Sequence, residues 1–140
     1  MARQLKYNLN NRVLTIENML VDKIDFQDSD TNVFTYASGA TATATTSIKK
    51  IAEFSKLSYG SAKYVIQATD KITDDKMVTE VLLFCDSDSV DITEYATLFS
   101  SSSRFVDFTS RISGDFCELR SQTSTANQTE FKINLTLIRN

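Results

Sequence analysis

The sequence predicts an all-β protein: an antiparallel β-sandwich, jelly-roll-like, of about seven or eight strands with an extended N-terminal arm. Three observations predict it. The vocabulary is that of strands, with nine Phe, five Tyr and abundant Ser and Thr, residue types enriched on pleated surfaces. From residue 46 onward, apolar side chains recur with period two, the spacing of a strand with one dry face. Short polar turns separate these runs throughout, as in sandwiches and barrels.

The elements follow in order. Residues 8–11 are turn-like, and residues 12–16 form a candidate strand around Val13. Residues 17–24 have loosely helical spacing, with Met19, Leu20 and Lys23 marking a short helix. Residues 25–32 are polar and loop-like, and residues 33–36 form another short strand. Residues 37–46 are Ala, Ser, Thr and Gly, without a side chain able to anchor a core, and read as an extended linker or an edge segment.

A weak strand over residues 48–56 opens the second part. Residues 61–69 alternate cleanly, with Ala62, Tyr64, Ile66 and Ala68 on one face. A turn at 71–76 leads to a strand over 77–86, whose Val81, Leu82, Leu83 and Phe84 suggest burial on both faces, as in a central strand. A turn at 86–89 precedes a strand over 90–99, with Ile92 and Tyr95 as packing residues. Residues 100–103 are a loop. A strand over 104–112 sets Val106, Phe108 and Ile112 on one face, opposite Phe105 and Asp107. A tight turn at Gly114 leads to the strand 116–123. The last strand, 129–138, turns Phe131, Ile133, Leu135 and Leu137 inward. The expected core is Tyr64, Ile66, Val81, Leu83, Ile92, Phe108, Leu119, Ile133, Leu135 and Leu137. The domain division places an arm and linker at 1–45 and the sandwich at 46–140.

With 140 residues, the chain suits one domain. It contains no His, no Trp and no Pro. Without His, Ser-His-Asp and Cys-His catalysis are excluded, as is the commonest metal ligand; carboxylate chemistry is not. The net charge of −3 argues against a nucleic-acid partner. Apolar runs such as residues 81–85 fall far below the roughly 18 residues of a membrane span, and the first residues lack the apolar stretch of a secretory signal. The expectation is a protein that is not an enzyme and binds neither nucleic acid nor membrane, without catalytic residues, metal or cofactor.

Individual motifs each have a plainer reading. Asp86, Asp88 and Asp91 resemble part of a calcium loop, but the turn glycine is missing and Thr97 stands where a bidentate Glu belongs; a solvated acidic hairpin is expected. Asp74 and Asp75 are neighbours and would point to opposite faces of a strand, which disfavours a catalytic carboxylate pair. Cys85 and Cys117 have neither zinc nor redox spacing and are expected as buried free thiols; a bridge would require neighbouring strands. Two glycosylation sequons, at Asn127 and Asn134, read as chance matches. Tyr59, Tyr64 and Tyr95 could line a sugar platform or pack in the core.

Several segments together resemble a module of virion structural proteins of tailed phages, of the marine cyanophage type. They are FSKLSYGSAKYVIQATD at 54–70, VTEVLLFCD at 78–86, DITEY at 91–95, ISG at 112–114 and TANQTEFK at 125–132. The resemblance spans about residues 46–138, in order. Departures are Gln122 and Thr123, where the family often has Pro, and Phe116, where it has a small residue. The resemblance implies a β-sandwich component of the virion, made in the host cytoplasm. It also implies partners among other phage structural proteins, and a homo-oligomer or many symmetric copies on the particle. A decoration, cement or tail-associated protein is the leading expectation. A carbohydrate-binding module of a fibre, taking a host glycan, is the alternative.

Residues 1–45 match no family segment. Their apolar Leu5, Leu9, Val13, Leu14, Ile16, Met19 and Leu20 are too many for a solvated tail, and Arg3, Lys6 and Arg12 make the start basic. Residues 70–94 carry eight acids against Lys71 and Lys76. These ten arm residues are the expected assembly contacts, docking on a neighbour by strand addition. The other reading is that the first strands join the sheets of their own chain. Likewise, the opposed charges either steer copies together or are solvated surface.

Overall fold

The structure, a computed structural model, describes the backbone of residues 23–27 and 32–38 and all of residues 39–140. Nine strands lie among the described residues: β1 (Lys23–Gln27), β2 (Asn32–Thr43), β3 (Lys49–Ser55), β4 (Tyr59–Asp70), β5 (Lys76–Cys85), β6 (Val90–Phe99), β7 (Val106–Ser113), β8 (Phe116–Thr123) and β9 (Thr129–Arg139). They form two antiparallel sheets. The larger has the order β1-β2-β9-β4-β5-β6 and the smaller β3-β8-β7. β4, β5 and β6 make a meander and β7 and β8 a hairpin. The β2–β3, β3–β4, β6–β7 and β8–β9 connections cross between sheets.

Alternation along each strand gives the core. Ala62, Tyr64, Ile66 and Ala68 of β4 meet Met77, Val81 and Leu83 of β5, Phe131, Ile133 and Leu137 of β9, and Ile51, Phe54, Val106, Cys117 and Leu119 of the smaller sheet. Seven of the ten expected core residues are buried. Ile92, Phe108 and Leu135 are partly buried and pack against them.

Four groups of expectations need correction. β1 begins at Lys23, where the spacing suggests the end of a helix and then a loop. Residues 37–43 are not a linker but take the other reading, an edge segment, since the pairing with β1 ends at Ala37. They belong to β2, which pairs with β9 from Phe34↔Ile138 to Thr43↔Thr129. Small residues need no core of their own when the main chain is recruited by a neighbour already fixed by its own pattern. The larger sheet therefore crosses the position of residue 46, and β1 and β2 join the sheet of their own chain. Arg3, Leu5, Lys6, Leu9, Arg12, Val13, Leu14, Ile16, Met19 and Leu20 lie outside the described residues.

β5 is the third. Met77, Thr79, Val81, Leu83 and Cys85 point inward, while Val78, Leu82 and Phe84 are exposed. A central strand in a two-layer sandwich has one dry face, so the apolar run does not imply double burial. In β6, Tyr95 is likewise exposed rather than packed. Ala96 adopts φ 54° and the ladder slips between Val78 and Glu80. Tyr95 falls opposite Glu80 on the outer face by alternation from Ile92, in the register that runs unbroken from Cys85↔Val90. The bulge after it turns Thr97 inward to Thr79, at 2.8 Å.

Fourth, Cys85 and Cys117 are not free thiols but a disulfide. Their strands lie in opposite sheets, both side chains face the core, and the Cα atoms are 6.8 Å apart. Thirty-two residues of sequence separation carry no sign of that facing.

Candidate functional site

β4, β5, β6 and β9 present their second face outward, and the register defines its rows. Phe84 lies between Ser61 and Asp91, Leu82 between Lys63 and Thr93, Glu80 between Val65 and Tyr95, and Val78 between Gln67 and Leu98. On the far side of β4, Ser61, Lys63, Val65 and Gln67 meet Ile138, Thr136, Asn134 and Lys132 of β9. Apolar side chains here stay in water: Phe84 is 54% exposed, Leu82 42%, Ile138 53% and Leu98 73%. Val65, Val78 and Tyr95 are exposed beside them. Single exposed apolar side chains are ordinary, but a contiguous set marks an interaction surface.

Three of its polar groups, Lys63, Glu80 and Tyr95, pair within the face. Lys63 Nζ sits 3.0 Å from Glu80 Oε2 and 5.9 Å from the centre of the Tyr95 ring. The hydrogen bond from Lys63, then that from Tyr95, holds the Glu80 carboxyl below its usual range. The same contact with Glu80 raises the Lys63 ammonium. Lys63 and Lys132, with Glu130, lie on the β4–β9 half of the face, and Glu80 and Asp91, with Lys76, on the β5–β6 half, so the halves are net basic and net acidic.

The outer face of the smaller sheet contrasts with it. Glu53 and Glu118 are direct cross-strand partners, a like-charge pair that is destabilising alone. Cations surround them: Lys50 bonds Glu53 at 2.8 Å, Arg111 bonds Glu118 at 2.9 Å, and Arg120 lies 3.9 Å from Glu118. Phe116 is the large apolar side chain exposed there.

The carboxylates elsewhere are occupied in holding the chain. Glu94 accepts from the Thr79 and Thr97 hydroxyls at 2.9 and 3.1 Å and pairs with Arg104. Arg104 also reaches Asp107, so this cluster ties the β6 bulge to the start of β7. Asp86 accepts from the Asp88 and Ser89 amides at 2.9 and 2.7 Å, and these bonds lower its carboxyl pKa. It closes the hairpin turn. Asp75 bonds Thr73 and Asp74 bonds Lys76. No group of three or more His, Cys, Asp or Glu among the described residues is placed to hold a metal ion. Open grooves of about 300 and 210 Å³ lie beside β2. The carboxylate lining the first is Glu130 and that lining the second Glu53, whereas most glycoside hydrolysis uses a carboxylate pair.

The three tyrosines considered as a sugar platform are not brought together. Tyr64 is fully buried, Tyr59 stacks under the Arg139 guanidinium at 5.4 Å, and Tyr95 lies on the exposed face. The residues that sequence reasoning missed are Val78, Leu82 and Phe84. Their signal is present, since Val78, Leu82 and Phe84 are apolar in the second phase of β5, but a continuous apolar run equally signals burial on both faces.

No family model matches the sequence, and no curated protein matches it. Solved structures do share its fold. The tailspike protein of Acinetobacter baumannii phage AM24 aligns with a TM-score of 0.52 at 9% identity, over 76% of this chain and 26% of that one. Tailspike gp49 of Acinetobacter baumannii bacteriophage Fri1, a capsular polysaccharide depolymerase, aligns with a TM-score of 0.50 at 16% identity, over 87% of this chain and 22% of that one. The chain thus spans about a quarter of the length of each tailspike. At these identities the likeness is one of fold.

Proposed function

We propose that this chain is a non-enzymatic structural module of a tailed-phage particle, tail-associated and held by protein–protein contacts. The observation that carries the reading is the exposed apolar face of the larger sheet, with Leu82 and Phe84 at its centre. A surface of this kind needs a partner to leave water. The fold shared with parts of two phage tailspikes supports a tail rather than a capsid-decoration or cement role. The chain's other features fit a scaffold: Asp70, Asp86 and Glu94 hold turns and strand ends, and Glu53, Glu80, Glu118 and Glu130 are in ion pairs. The arm residues 1–22 supply further contacts in this reading. The test is mass spectrometry of purified particles with a reconstruction of the tail. The expected result is the chain present in stoichiometric, symmetric copies on the tail. Its absence from particles, or hydrolysis of host capsule by the purified chain, overturns the proposal.

One observation favours a second reading, contact with a host glycan. Phe84 and Tyr95 are exposed on one face, with Asp91 opposite Phe84, and aromatic rings offer an apolar surface to a sugar. Binding of host polysaccharide, lost in Tyr95→Ala, would move the function to this reading.

A further inference from the structure

We infer that the outer face of the larger sheet is the docking surface for a second copy of this chain, sheet against sheet. The inference rests on the reading of the chain as a structural module and names the partner for its exposed face.

Three observations point to a copy of itself. The first is area. The four strands β9-β4-β5-β6 are spaced about 4.8 Å apart and roughly ten residues long, a plate of roughly 600 Å². Two such plates in contact bury roughly 1,200 Å², the lower end of stable interfaces. The second is shape. Flat strand faces stack about 10 Å apart, as the two sheets within the chain already do.

The third is charge. Within the β4–β9 and β5–β6 halves, the face carries Lys63, Lys132 and Glu130 against Glu80, Asp91 and Lys76, so the six charges balance and a copy is not repelled. Each half keeps a net charge, positive on β4–β9 and negative on β5–β6. A two-fold axis parallel to the strands, between β4 and β5, lays the basic half of each copy over the acidic half of the other. Leu82, Phe84 and Val65 then lie near the axis, where water is excluded and apolar burial contributes most. The opposite outer face, with Glu53 and Glu118 locked among Lys50, Arg111 and Arg120, offers no comparable apolar centre.

The test is sedimentation of the full chain and of three variants, with circular dichroism verifying that each is folded. The wild-type chain should self-associate. Leu82→Lys and, independently, Val65→Lys should weaken association by at least about 100-fold, because each replaces an apolar contact at the centre of the interface by a cation that must leave water. Phe116→Lys, on the other sheet, should leave association unchanged. A wild-type chain that stays monomeric at about 100 µM, a concentration at which even a weak interface populates, overturns the inference. So does association unaffected by Leu82→Lys and Val65→Lys. A monomer whose outer face is covered by residues 1–22 or by a glycan overturns it too. The two proposals fail separately. A chain present in particles but monomeric removes the self-docking alone, and one that pairs but is missing from particles removes the virion role alone.

Discussion

The carboxylate of Asp70 and the side-chain amide of Asn127 join two turns that are 57 residues apart in sequence. Asn127 Nδ2 donates to Asp70 Oδ2 at 2.9 Å, and Thr125 Oγ1 donates to the same oxygen at 3.4 Å. Asp70 Oδ1 accepts from the amides of Ile72 and Thr73 at 2.8 and 3.1 Å. One buried carboxylate thus closes the β4–β5 turn and pins the β8–β9 loop to it. Burial, the largest single influence, pushes its pKa up, but the hydrogen bonds from Asn127, Ile72, Thr73 and Thr125 together outweigh it and the net shift is downward.

A folded pKa below the unfolded value makes the ionised form stabilising. That contribution is present above the ordinary value of 3.8 and is lost as pH falls through the lower folded value. Thermal unfolding followed from about pH 7 down to pH 2 should show Tm falling at the acid end. Asp70→Asn should flatten that fall, and Asp70→Ala should cost about 2 kcal/mol at neutral pH by leaving its donors unpaired. An Asp70→Asn profile parallel to wild type would refute the assignment.

Leu82 and Leu83 are neighbours with opposite fates, fully buried for Leu83 and exposed for Leu82. Leu83→Ala should lose about 2–5 kcal/mol of stability through the cavity it leaves. Leu82→Ala should stay within about 0.5 kcal/mol, as an exposed position does. Urea unfolding of both variants, at a protein concentration where the chain is monomeric, checks the one-sided reading of β5.

The Cys85–Cys117 bridge ties β5 to β8 across the core. Alkylation of unfolded, unreduced protein should label neither cysteine, and prior reduction should expose both to mass spectrometry. Closing a loop of this length stabilises by about 3–4 kcal/mol through the unfolded chain. The double variant with Cys85→Ala and Cys117→Ala should therefore unfold at clearly lower denaturant. Equal midpoints would show that the bridge contributes nothing.

Tyr64 is fully buried, and its hydroxyl has no hydrogen-bond partner among the described residues. Burial, with a smaller contribution from the Glu53 charge, raises its pKa well above the usual phenol value. Removing an unsatisfied buried oxygen is neutral or stabilising. Tyr64→Phe should unfold at the same denaturant midpoint or up to about 1–2 kcal/mol later. A large loss would reveal a partner for the hydroxyl.

The sequence alone determined where strands run and which side of most of them is dry. Ala62, Tyr64, Ile66 and Ala68 alternate with polar neighbours, as do Phe131, Ile133 and Leu137, and period two fixes a strand's inward face without knowledge of its partner. Turns at Asp70, Asp86 and Gly114 were legible for the same local reason; Gly114 takes the left-handed φ of 58° that favours glycine. Tertiary structure decided the rest. Residues 37–43 have no pattern of their own, and only the ladder offered by β9 makes them a strand. Tyr95 faces out by alternation from Ile92, whereas the Ala96 bulge turned Thr97 inward, a choice made by register. Val78, Leu82 and Phe84 carry the same apolar signal as core residues; that they face water follows from the two-layer architecture, which gives a central strand one dry face. Cys85 and Cys117 meet because two sheets stack. Local periodicity encodes the direction of a side chain, and what it meets there depends on which strands and sheets become its neighbours.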